Sequence, residues 1–425
     1  MIKYKEVVQS LKSLGKDVFI LSAGVLIAQL IPFLLQPFLK RTFTPEEFGT
    51  YDVYLRSFSI LVAISCLKYE NAILLPKKDS SAKHIIYLCL ISSFVFFILF
   101  LVLGLFFSEA IASKFEGFTL VALVLLPVSV LFYTIFNVFN MYLIRRQKFL
   151  LSSTNKISRR ISEGAVQLVL GLLNNRNGLL IGDVVGNIVQ GAFSFWKVWR
   201  ISPLKYFNTQ KLKKLIVEYR DLPIYTLIPN VLNIFVLGSL TFLVLTKFDL
   251  KEVGYLEFTQ KILSIPSVFI SISISQVVFQ RISALINKNQ KIVPLILSVI
   301  TILTCIAIFF VIIIEFFGTQ IYLLIGGASW ESSGEYAKIL VYASAFMLIF
   351  SPIGKVLIAL KKFKINSIWE IGKFLAIIAL FFIDGYSLIQ YLKLYTIILI
   401  VFYIVYGVLI LYQSHKYQVE NQINN

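Results

Sequence analysis

Twelve ionisable side chains inside or at the margins of long apolar runs are the candidates for chemistry in this chain: Asp52, Arg56, Glu70, Arg159, Arg160, Glu163, Glu257, Lys261, Glu315, Lys355, Glu370 and Lys373. A charge at mid-membrane costs at least about 2.5–3.5 kcal/mol, so it tends to face a cavity and to mark function. Two of the acids precede a base by four residues, Asp52 before Arg56 and Glu257 before Lys261. On a helix that spacing puts acid and base side by side, so the acid can hold the base on one face. Bases held inward would ring a cavity with positive charge, which suits an anion, above all a phosphate. Arg56 and Lys261 lead the expected substrate-binding set, with Lys355, Lys373 and Arg159 joining them. Glu70, Glu370, Asp52 and Glu257 are the carboxylates available for coupling to an ion. The competing reading for long bases near span ends is snorkelling to the interface. For the acid–base pairs it is a purely structural ion pair.

Other chemistry has little to stand on. His84 and His415 are the only histidines, both outside the apolar runs. No Cys or His pair has metal-ligand spacing, and no Gly-rich loop followed by Lys suggests a nucleotide site. Cys66, Cys89 and Cys305 all fall inside apolar runs and read as small buried residues. The expectation is therefore a non-enzyme with no cofactor and no metal.

The elements that must position these charges follow from composition. Of 425 residues 58% are hydrophobic and 15% charged, whereas soluble domains run at roughly 45–50% and about 25%. Apolar runs of about 20 residues recur, each long enough to cross a ~30 Å hydrocarbon core as a helix. The alternating pattern of an outer-membrane barrel is missing. The fold class expected is an all-α polytopic membrane protein with about twelve transmembrane helices. Among the spans, the second is placed at 51–75, the fifth at 157–173, the eighth at 255–279 and the tenth at 337–360. Residues 2–17 read as a basic amphipathic lead-in, and 413–425 as a polar tail.

The net charge of +18 would point to nucleic acid in a soluble protein, but its distribution is topological. With the N-terminus cytoplasmic, roughly 28 Lys and Arg fall on that side against about 6 on the other, so both termini are expected in the cytoplasm. The loops are short. The longest outer one, 318–336, has no Lys or Arg, and a Lys-rich inner linker lies at the midpoint.

The chain also repeats itself. FTPEEFGTYDVYLR, from Phe43, aligns without gaps on FDLKEVGYLEFTQK, from Phe248, so that Gly49 meets Gly254 and Arg56 meets Lys261 at an offset of 205. Lys148-Phe149 aligns with Lys362-Phe363, and Arg159 with Lys373, at an offset of 214. Two matches at corresponding places imply two six-helix lobes, 1–207 and 208–425, related by a parallel pseudo-two-fold repeat. A transporter with a central cavity is the natural reading.

Pro45-Glu46-Glu47-Phe48-Gly49, followed by Tyr69-Glu70-Asn71-Ala72-Ile73-Leu74-Leu75-Pro76, resembles the Wzx-type oligosaccharide flippases. These belong to the multidrug/oligosaccharidyl-lipid/polysaccharide exporter superfamily, whose length and twelve-span, two-lobe organisation also match. The resemblance implies flipping of undecaprenyl-pyrophosphate-linked oligosaccharide repeat units, for O-antigen or a related lipopolysaccharide-type polymer, across the bacterial inner membrane. It implies alternating access through a cationic lumen, coupling to a proton or sodium gradient, and a basic residue at the position of Arg56. Membrane lipid, a polysaccharide polymerase and a chain-length regulator are the partners it brings. A drug exporter of the same superfamily is the alternative, disfavoured by the basic inventory. From a different class, a polysaccharide polymerase would be expected to carry a large basic or catalytic outer loop.

Overall fold

The computed structural model describes residues 24, 26–114, 120–204, 207–267, 270, 272–287, 290–360 and 362–423. The amphipathic lead-in expected at 2–17 lies outside them. All regular structure among the described residues is helical. Residues 26–42 form α1. Then come α2 (Pro45–Ser65), a tight 3-10 turn (Tyr69–Leu74), α3 (Asp79–Phe106), the short α4 (Ser108–Lys114), α5 (Leu120–Arg145), α6 (Phe149–Leu172), α7 (Gly178–Ile201) and α8 (Thr209–Glu218). A π-turn leads into α9 (Ile228–Lys247), followed by α10 (Leu250–Leu263), α11 (Ile272–Asn287), α12 (Val293–Gly326), α13 (Glu331–Phe350), α14 (Lys355–Ala359), α15 (Phe363–Ala379) and α16 (Leu388–Ile423).

Among the described residues, eight stretches are long and apolar enough to cross a membrane. The helices α2 and α6 have the length but carry acids and bases, Asp52 and Arg56 on one, Arg159, Arg160 and Glu163 on the other. The chain divides into two compact units, Met1–Gly238 and Ser239–Asn425.

Several boundaries differ from the sequence reading, each for a local reason. The second span starts at Pro45, because Thr44 caps it, and stops at Ser65, where Leu67 and Lys68 turn to positive φ. Glu70 therefore sits on the 3-10 turn beyond that helix rather than inside a span 51–75. The helix α10, which enters the eighth span, ends at Leu263 with a turn at Ser264, and the tenth gives way after Phe350 to a 3-10 turn opened by Pro352, whose ring cannot continue the hydrogen-bond ladder. The expected outer loop 318–336 is mostly helix. It turns at Gly327, whose φ of 88° favours glycine. The tail from 413 continues α16 to Ile423.

The core of the first unit draws the 3-10 turn (Tyr69, Ala72, Ile73), α3 (Ile85, Ile86, Cys89), α5 (Phe139, Tyr142) and α8 (Leu215) onto one cluster. Close approach of α5 and α7 rests on Gly191. A Cβ there would come within 2.6 Å of the Phe132 carbonyl oxygen. In the second unit Gly334 does the same for α13 against α12, with Thr319 Cα 2.5 Å away. Small residues at such crossings let backbones touch where no hydrophobic effect drives helices together.

Candidate functional site

The repeated segment turns out to be a helix start. Thr44 accepts the Glu47 backbone N–H at 3.3 Å, and the Glu47 carboxylate reaches back to the Thr44 N–H at 2.8 Å. Phe43 packs on Phe48 with ring centroids 6.4 Å apart. This is a capping box with its hydrophobic staple, and it sets where α2 begins. In the second copy Asp249 accepts the Glu252 N–H at 2.9 Å, while Glu252 takes a hydrogen bond from the Tyr336 hydroxyl.

Because both helices start in the same register, their bases emerge alike. Arg56 Nε lies 3.2 Å from Asp52, and Lys261 Nζ lies 3.1 Å from Glu257. The bases keep 27% and 25% of their side-chain surface exposed, while the acids keep only 5% and 6%. Each unit thus offers a half-open cation steadied from behind by a buried carboxylate. Arg56 also donates to the Leu237 carbonyl at 3.4 Å.

Arg159 lies inside the first unit. Its Nη2 donates to Asp183 at 3.0 Å and its Nε lies 3.8 Å from Glu163. Asp183, fully buried, also accepts from Ser129 and Asn187, each at 2.9 Å, and from the Tyr54 hydroxyl at 3.4 Å. Glu163 accepts from Arg160 at 2.9 Å and from Tyr51 at 3.3 Å. Two carboxylates and two guanidiniums, with their partners drawn from four helices (α2, α5, α6 and α7), make a balanced interior network. Arg159 is further held over the Tyr133 ring at 5.4 Å.

The remaining residues meet other partners. Lys373 is buried, bonded to Glu370 at 2.8 Å and seated over Trp369 at 4.2 Å. Trp369 in turn stacks on Tyr406 at 4.0 Å. Lys355 stands exposed at the start of α14. Glu70 is buried with Lys68 3.9 Å away, and desolvation raises its carboxyl above the usual range. The segment after Glu70 is held by Arg145, which donates to the carbonyls of Ile73, Leu74 and Pro76. No group of three His, Cys, Asp or Glu suited to a metal occurs among the described residues.

Sequence reasoning missed Asp183, the hub of the interior network. The signal was available, since it is a lone acid in an apolar span. Lys40 was also passed over. It is buried, with its ammonium 3.3 Å over the Phe48 ring.

Comparison with solved structures finds the same fold. The chain is similar to the lipid II flippase MurJ in an inward closed conformation at 16% identity, over 95% of this chain and 90% of that one, with a TM-score of 0.71. It is similar to an inward-facing multidrug resistance MATE family transporter of the MOP superfamily at 12% identity, over 93% and 95%, with a TM-score of 0.69. An outward-facing MATE transporter matches at 13% identity over 96% of both chains, with a TM-score of 0.54. No curated protein matches. The family described as polysaccharide biosynthesis protein matches residues 14–286. With well over half its length so matched, this multi-pass membrane protein belongs to the polysaccharide biosynthesis protein family, and its fold is that of the MOP-superfamily transporters.

Proposed function

We propose that the protein flips an undecaprenyl-pyrophosphate-linked oligosaccharide across the bacterial inner membrane by alternating access, with both termini cytoplasmic. The observation that carries this reading is the duplicated pair, Asp52–Arg56 and Glu257–Lys261, with each base partly open and each acid buried. A phosphate group is the anion that such a cation suits, and the acid behind each base keeps it aimed. The family match and the lipid II flippase fold support a lipid-linked substrate. The interior network around Asp183 supplies carboxylates for coupling to a proton or sodium gradient. The finished units would pass to a polymerase and chain-length regulator making O-antigen or a related polymer. An exporter of organic cations would instead need acids where Arg56 and Lys261 stand.

The test is complementation of a flippase-null strain. Arg56→Gln and Lys261→Gln are each expected to abolish or strongly reduce surface glycan at wild-type protein levels, whereas Arg56→Lys retains part of it. Full glycan from both neutral variants would refute the anion-binding role of these bases.

A further inference from the structure

The last two turns of α7 carry an arrangement that the flipping chemistry does not use. Trp196, Phe195 and Trp199 are exposed to 44%, 45% and 49%, making a broad aromatic face. Two cations converge on one of these rings. Lys197 Nζ lies 4.5 Å from the Trp196 centroid and the Arg200 guanidinium carbon 4.4 Å from it. Lys197 also lies 5.2 Å from the Phe193 ring. Neither cation meets a carboxylate among the described residues. At the same end of this unit, by contrast, Arg145 and Lys83 both approach Asp79, at 3.8 and 3.9 Å.

Two like charges gathered on one indole repel each other unless an anion lies between them or water screens them. Indoles favour the membrane–water interface, where ring and hydrocarbon meet headgroups. The apolar exposure marks this face of α7 as lipid-facing, and α8, the next helix in the chain, carries the exposed Lys213 and Lys214.

We propose that Lys197 and Arg200, gathered on Trp196, form a docking site for the phosphate of an anionic phospholipid, with its acyl chains along Phe195 and Trp199. Charge selects the lipid. A phosphatidylglycerol headgroup brings net negative charge to the two cations, whereas phosphatidylcholine brings its own quaternary ammonium and gains little. The positive-inside distribution places this end of the helix at the cytoplasmic leaflet.

Native mass spectrometry of the purified full-length protein, titrated with phosphatidylglycerol or phosphatidylcholine, tests the proposal. Wild type should retain phosphatidylglycerol with a preference of about tenfold or more, the scale expected for two interfacial charges. Lys197→Gln with Arg200→Gln should bring that preference close to unity, while Lys213→Gln with Lys214→Gln should leave most of it. Should the first double variant fail to fold, Trp196→Leu keeps both charges but removes the ring that gathers them, and a clear fall in the preference is then expected. An unchanged preference in whichever of these variants is measured overturns the site, as does equal retention of both lipids by wild type. Farnesyl pyrophosphate that displaces bound phosphatidylglycerol at equal concentration overturns the phospholipid assignment and gives the face to a pyrophosphate lipid instead.

Discussion

Replacing Asp183 by Leu should destabilise the first unit by about 3–5 kcal/mol, the range seen when one partner of a buried ion pair is removed. The structure says why the cost falls at the high end. Asp183 receives four donors, from Arg159, Ser129, Asn187 and Tyr54, at 3.0, 2.9, 2.9 and 3.4 Å. Without it, the one carboxylate left beside Arg159 is Glu163 at 3.8 Å, already engaged by Arg160 and Tyr51. Arg159→Met strands the opposite charge and should cost about as much. The double variant, Arg159→Met with Asp183→Leu, leaves no unpaired ion. Its remaining cost is that of Ser129, Asn187 and Tyr54, which have lost an acceptor, about 1–3 kcal/mol for each donor left unsatisfied. Ser129 and Asn187 also bond each other, with Asn187 Nδ2 2.6 Å from Ser129 Oγ, which lessens that cost. The double variant should therefore be no less stable than either single one, with an interaction energy of at least about 2–3 kcal/mol. Unfolding by SDS in mixed micelles, followed by circular dichroism, measures all four corners. If the double variant loses as much as the two single ones together, the network is not a coupled pair and the reasoning fails.

Other consequences can be checked on the same preparation. Thr44→Ala removes the cap of α2 and should cost about 0.5–2 kcal/mol, read as a lower SDS midpoint. Gly191→Ala and Gly334→Ala drive a methyl into the facing backbone and should each cost about 1–3 kcal/mol. Substitution of the open Gly385, where a Cβ would meet nothing within 4 Å, tests φ strain alone. Glu70 gives a pH dependence of known sign. Burial raises its folded carboxyl above the unfolded value, so its contribution is fully favourable below the unfolded pKa and is lost as pH rises through the folded one. Glu70→Gln should accordingly unfold at a higher temperature than wild type at neutral pH. The gap should close as pH falls below about 4, where the free carboxyl is protonated as well, and a gap independent of pH would sink the burial argument.

How much of this was legible beforehand depended on whether a signal was local. The apolar runs sufficed for the fold class, because a bilayer leaves a spanning chain few options but helices. FTPEEFG was recognisable as punctuation, but its content is a capping box. Thr44 and Glu47 stand three residues apart with Phe43 and Phe48 around them, and that spacing alone implied a start at Pro45 rather than further on. The break after Ser65 was harder, since it depends on Leu67 and Lys68 adopting positive φ without glycine. What periodicity cannot reveal is a partner in a distant helix. Arg159 read as a lumen or interface base because its acid, Asp183, lies 24 residues away and across a turn.

The two units share their beginnings and part company in their interiors. At the offset of 205 that pairs Arg56 with Lys261, Tyr51 corresponds to Leu256 and Tyr54 to Thr259. In the first unit the two phenols deliver hydrogen bonds to Glu163 and Asp183. In the second, Leu256 is buried in the core, and the Thr259 hydroxyl bonds the Tyr255 and Ser333 carbonyls at 2.8 Å each. Around them Phe258 packs on Tyr322 and Trp330 at 4.9 and 5.2 Å. The same helix start therefore serves a charged interior in one unit and an aromatic one in the other. At the second repeat, Arg159 corresponds to Lys373, and each base lies beside an acid and over a ring. Asp183, however, corresponds at that offset to Ile397, which is exposed and apolar. The hub acid belongs to the first unit alone. If transport is coupled to an ion through interior carboxylates, the dependence should therefore be asymmetric. Neutralising Asp183 should alter the response of transport to the imposed gradient, whereas Ile397→Asn should leave that response as it was. Equal effects at the two positions in a proteoliposome flux assay would show that coupling does not run through the interior network.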